Sequence, residues 1–144
     1  RRATAPGPAV NIQHRNQKLP SDWKRFLSVS ENKTSLLAFL FMEWQSVDYV
    51  PILKTGSFFM GHGTSCSRLC GSDTGVSVIP VPELASSHEE ADTRIFVHAL
   101  HAAQSGIKSI IISSPDTDVM VIGCFLASSI PAQLNWLTGT KLRR

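Results

Sequence analysis

Apolar side chains recur at Leu36, Leu37, Leu40, Phe41 and Trp44, the spacing of one helical stripe, with Ser30 placed to cap the start. A shorter helix bearing Trp23, Phe26 and Leu27 is expected before it, capped by Ser21. Over residues 52–79 the pattern shifts to brief apolar runs punctuated by Gly56, Gly61, Gly63, Gly71 and Gly75, which predicts two or three short strands joined by tight turns. Pro80 and Pro82 interrupt the chain. Beyond them Ala91, Ile95, Ala99 and Ala102 keep one apolar face, and Ser87 with Glu90 fits a capping box. These residues predict a helix over 88–105 that stops at Gly106.

Ser109-Ile110-Ile111-Ile112-Ser113 is apolar and β-branched through its centre, the composition of a central parallel strand covered on both faces. Pro115 keeps Ser114 extended, and Asp116-Thr117-Asp118 follows as the corner into a helix over 118–128. Helix, strand and helix with short connections predict an α/β fold with a parallel central sheet. Residues 1–18 lack apolar periodicity and predict a poorly ordered lead-in, leaving 19–144 as one domain.

Bulk properties narrow this picture without pointing to a chemistry. The 144 residues, 42% hydrophobic and 17% charged, have the size and apolar content of one compact core. No apolar run reaches the ~18 to 20 residues that cross a bilayer, and no apolar stretch follows Arg1 and Arg2 to make a secretory signal. Three cysteines, an odd count, favour a reducing compartment and so an intracellular location, the nucleus included. The net charge of +3 lies mainly in the flanks, at Arg1, Arg2, Lys141, Arg143 and Arg144, and favours a polyanionic partner such as nucleic acid only weakly.

The acidic residues change the picture more. Of eleven Asp and Glu, five fall in two clusters, Glu89-Glu90-Ala91-Asp92 and Asp116-Thr117-Asp118, which the predicted elements place at a helix start and a strand end. Ligands of α/β folds gather outside the carboxyl ends of the strands, where Asp116 and Asp118 fall. Carboxylates held together repel unless a hard ion such as Mg²⁺ or Mn²⁺ lies between them, and such ions hydrolyse phosphodiesters by activating water and stabilising the leaving oxygen. Each cluster also has a plain structural account: first-turn acids are stabilised by the helix dipole, Glu90 can pair with Arg94, and Asp116 or Thr117 can cap a helix. Glu89 and Asp92, three apart, share a helical face better than Glu90 and Asp92 do, so the helix leaves the ligand choice open.

Glu90-Ala91-Asp92, a helix, a glycine, an apolar strand and Asp116-Thr117-Asp118 together resemble the E-x-E and D-x-D pattern of the PIN-like superfamily, which includes flap endonucleases and 5′-to-3′ exonucleases. The strings His88-Glu89-Glu90-Ala91-Asp92-Thr93-Arg94 and Ser114-Pro115-Asp116-Thr117-Asp118-Val119 also resemble a large group of transposon-derived animal proteins, over most of the chain from Trp23 to Arg144. The resemblance implies a three-layer PIN-like domain and metal-dependent cleavage of nucleic acid. It implies metal-ligand roles for Glu90, Asp92, Asp116 and Asp118, with Glu89 as a substitute and Asp116 and Asp118 catalytic. It also implies a domain lacking its first strand, with that strand's aspartate, and its C-terminal part with any later acidic ligand. A remnant without catalysis, acting as a binding module, is the competing expectation.

Other chemistry is less well supported by the residues. His62, Cys66 and Cys70 supply three zinc ligands without a fourth, and a turn-rich hairpin accounts for them equally. His98 and His101 lie too far along their helix to join the acids, and Trp23, Trp44 and Trp136 suit the core. Asp116-x-Asp118 after a strand also resembles the D-x-D of nucleotide-sugar transferases and of haloacid-dehalogenase phosphatases. The first leaves residues 89–92 unexplained, and the second requires acids beyond Asp118 that the chain lacks.

Overall fold

The computed structural model describes residues 7–18, 20–86 and 91–137. The chain divides into two compact units, Arg1–Ala85 and Ser86–Arg144, where one domain over 19–144 is expected. The division follows the proline-broken stretch after residue 80, where Pro82–Leu84 forms only a single 3-10 turn.

The first unit opens with α1 (Trp23–Leu27) and α2 (Ser30–Glu43). Both caps lie one residue from their expected places. Asp22, not Ser21, caps α1 by accepting from Arg25 N at 2.9 Å, while Ser30 is the first helical residue of α2, behind an extended Val29. Leu36, Leu40, Phe41 and Trp44 are half-buried, but Leu37 and Met42 are exposed, because the apolar run wraps further round the helix than one stripe. A short α3 (Val50–Leu53) leads to the antiparallel meander β1 (Phe58–His62), β2 (Ser65–Ser72) and β3 (Gly75–Pro80). The predicted strands are therefore present, and Gly63 (φ 55°) and Gly75 (φ 131°) take the left-handed conformations their turns require. Leu69 in the central strand is fully buried. Gly71 lets α3 press on that strand, since a Cβ there would meet Val50 O at 2.6 Å.

The second unit contains α4 (Ala91–Gln104), β4 (Ser109–Ser113), α5 (Thr117–Leu126) and β5 (Gln133–Leu137). The strand over 109–113 has its expected bounds, and the helix start expected at residue 88 lies outside the described residues. α4 ends in a Schellman motif, with Ile107 N bonded to Ala102 O and Gly106 N to Ala103 O, made possible by Gly106 at φ 94°. β4 and β5 are parallel neighbours joined through α5, a βαβ unit. Its core is Phe96, Ala99, Ala103, Ile112, Val119 and Ile130, with Ile110, Leu134 and Trp136 packed against it.

That core corrects two expectations. Side chains from α4, α5 and alternate positions of the strands meet in one cluster, so both helices cover the same sheet face; among the described residues this unit has two layers, not three. β4 is consequently covered on one face, and Ile111 is 69% exposed on the other. β4 is also not central among the described strands, because β5 is its one partner there. The α/β character holds as a mixture of helices with one parallel and one antiparallel sheet. No single described helix is long and apolar enough to cross a membrane.

Candidate metal centre

Asp116 and Asp118 occupy the corner between β4 and α5, which is built from side chains bonding to nearby backbone. Ser114 Oγ accepts from Asp116 N at 3.1 Å, and Asp116 Oδ1 accepts from Asp118 N at 2.9 Å, making Asp116 the N-cap of α5. Asp118 sits in the first turn, where the helix dipole favours its charge. Both aspartates are exposed. Ser114, expected from the sequence only to be extended, also supplies the acceptor that starts this corner, and serine two residues before an aspartate is a recognisable turn signal.

Asp92 lies half-buried in the first turn of α4. Glu89 and Glu90, the other two expected ligands, lie outside the described residues, as does the Ser87–Glu90 capping box. α4 packs against β4 and reaches it through only residues 105–108, so the helix must run antiparallel to the strand. The start of α4 and the carboxyl end of β4 therefore face the same end of the βαβ unit. Phe96, one turn beyond Asp92, packs beside Trp136 of β5 at 6.3 Å between ring centroids.

Two observations bear on what this end can hold. The carboxylates of Asp92 and Asp118 have no hydrogen-bond or ion-pair partner among the described residues, and Asp116 uses one oxygen on its helix cap. On the other side, no three His, Cys, Asp or Glu among the described residues come together as a metal-holding group. A complete protein cage is thus not formed by Asp92, Asp116 and Asp118 alone. The donor chemistry still suits Mg²⁺, which keeps several waters and is commonly held by one or two carboxylates.

The remaining candidates sit elsewhere. His62 Nε2 lies 3.1 Å from Ser67 Oγ and its ring stacks on Phe41, so its bonding is internal to the first unit; the zinc expectation finds no three-ligand group among the described residues. His98 and His101 are half-buried two to three turns along α4, and burial, then the charges of Arg94 and His101, holds His98 below its ordinary value. Trp23 stacks on Phe26, Trp44 lies between Tyr49 and Phe58, and Trp136 meets Phe96, in keeping with packing roles.

Comparison with protein families, curated proteins and solved structures finds no match to this chain.

Proposed function

We propose that the second unit is the metal-binding part of a PIN-like nuclease domain of mobile-element origin, acting on nucleic-acid phosphodiesters with Mg²⁺ or Mn²⁺. The observation that carries this reading is a pair of carboxylates with no partner among the described residues, Asp92 and Asp118, at the same end of a βαβ unit as the Asp116 cap. Acids left unpaired at the carboxyl end of a parallel strand stand where α/β folds bind ligands, and they would repel a phosphodiester unless a cation came between. In this reading Asp116 and Asp118 hold the ion, and Asp92 with Glu90 or Glu89 completes its neighbourhood. The bound ion would supply charge neutralisation and an activated water. The chain's contribution is a fixed corner: the Ser114 and Asp116 turns orient the carboxylates before an ion arrives. The three-layer architecture belongs to the same proposal and requires a further layer on the face that bears Ile111.

A second reading, a remnant that binds without cleaving, is favoured by the lack of a three-ligand group among the described residues. Cleavage of labelled single-stranded and flapped DNA with Mn²⁺ separates the two. Asp116→Asn with Asp118→Asn is the informative variant, because asparagine caps a helix about as well as aspartate. Cleavage abolished by this variant supports the nuclease, cleavage surviving it rejects the assignment, and no cleavage by the native chain favours the remnant.

A further inference from the structure

Residues 7–13 form no helix or strand, yet they are held to α2 by an ordered set of bonds. Val10 N donates to Asn32 Oδ1 at 2.6 Å, and Ile12 N donates to Ser35 Oγ at 2.8 Å. Asn32 Nδ2 donates to Pro8 O at 3.1 Å, and Ser35 Oγ donates to Asn11 Oδ1 at 3.0 Å. The alternate amides, those of Ala9 and Asn11, have no acceptor among the described residues, and that alternation is the signature of an extended chain.

The match is geometric. Asn32 and Ser35 are three apart on α2, which sets their Cβ atoms about 5–6 Å apart. Alternate amides of an extended chain repeat every ~6.6 Å, so one helix face reads every second N–H of the strap. Asn32 is fully buried and spends all its side-chain bonding on main-chain atoms, the third being Phe26 O at 3.0 Å.

Side-chain packing around the strap is much looser. An open cleft of about 640 Å³ runs beside Ala9 and Val10 against Thr34 and Ala38, and another of about 200 Å³ lies between Pro8, Val10, Pro20 and Phe26. Ile12, 7% exposed, is the one buried apolar anchor of the segment. Main-chain hydrogen bonds that give affinity, joined by side-chain anchoring, are one established way of holding an extended peptide.

We propose that the Asn32–Ser35 face of α2 is a receptor for an extended peptide, occupied by the chain's own residues 8–12 and able to take the same segment from a second copy. That segment is the appropriate partner because its amide spacing and its isoleucine already satisfy the face. Exchange is limited by competition from the tethered strap, whose effective concentration for so short a link is on the order of millimolar.

The test uses the full chain and a fluorescent peptide with the sequence of residues 7–14. Replacing Val10 and Ile12 by proline removes both captured N–H donors from the tethered strap. The Val10→Pro, Ile12→Pro variant should bind the peptide at least roughly tenfold more tightly than the native chain, because the competent fraction of the face rises. Adding Asn32→Ala should reverse that gain, as should N-methylation of the peptide at the positions of Val10 and Ile12. Equal binding by native and proline variants, or gain that survives either reversal, overturns the proposal. Should the variants not fold, hydrogen exchange on the native chain decides. Saturating peptide should speed exchange of the Val10 and Ile12 amides, and unchanged exchange overturns the proposal.

Discussion

Replacing Asn32 with alanine removes a side chain that ties three segments together. Its Oδ1 accepts from Val10 N, and its Nδ2 donates to Pro8 O and to Phe26 O, with the residue itself 0% exposed. A net ~1 kcal/mol for each of three bonds gives a loss of about 3 kcal/mol. Part of this is offset at Phe26 O, which also accepts from Val29 N, and part is added at Val10 N, left with no acceptor in a partly buried place. The expected range is therefore ~2 to 4 kcal/mol. Urea unfolding followed by tryptophan fluorescence measures it, in a Trp136→Phe background so that Trp23 and Trp44 alone report on the first unit. With a slope of about 1.5 kcal/mol per molar urea, the midpoint should fall by about 2 M. Asn32→Asp is the informative companion: it keeps the acceptor for Val10 but turns a carboxylate oxygen toward two carbonyls, so it should destabilise at least as much at neutral pH. A midpoint shift below ~0.3 M for Asn32→Ala would mean the three bonds contribute under about 0.5 kcal/mol, and the account of the strap would be wrong.

Two further outcomes follow from the second unit. A Cβ at Gly123 would intrude on the Trp136 ring and approach Phe96 at 3.0 Å, so Gly123→Ala should cost ~1 to 3 kcal/mol by thermal unfolding. Trp136→Leu in the same chain should recover part of that loss, and strictly additive effects would show that the two side chains do not compete for space. Because burial and neighbouring positive charge depress His98, the unfolded chain takes up its proton more readily than the folded one. Its contribution is therefore present above the ordinary value of 6.5 and lost as pH falls below it, toward the depressed value. Unfolding midpoints measured from pH 7.5 to 5 should decline, with a shallower decline in His98→Leu; equal slopes would exclude the effect.

Features governed by a single residue's local chemistry were legible in the sequence. Gly106 ends α4 because only a left-handed residue closes a Schellman motif there, and the Asp116 corner follows from short polar side chains flanking a proline. Adjacent candidates were harder to separate: Ser21 and Asp22 can each cap α1, and their one-residue difference lies within the tolerance of the pattern. The exposure of Ile111 was not legible at all. An unbroken isoleucine run reads the same whether a second layer covers it or not. β5 was missed because Gln133-Leu134-Asn135-Trp136-Leu137 is brief, although its alternation of polar and apolar residues is the half-buried strand pattern. Asn32 gave no signal, since its partners at Pro8 and Val10 lie 24 and 22 residues away in a segment without periodicity. For the candidate site, the sequence located Asp92, Asp116 and Asp118 at element ends, as found, but helical geometry could not decide between Glu89 and Glu90.

Whether the start of α4 and the end of β4 share a cation is tested most directly by titrating the isotopically labelled chain with Mn²⁺ and following paramagnetic broadening of backbone amides. Broadening should centre on residues 92 and 116–118, be much weaker at Lys108 at the opposite end of β4, and disappear in Asp116→Asn with Asp118→Asn. Broadening centred on Asp118 but absent at Asp92, or undiminished in that variant, would contradict a shared site, as would no broadening at millimolar Mn²⁺.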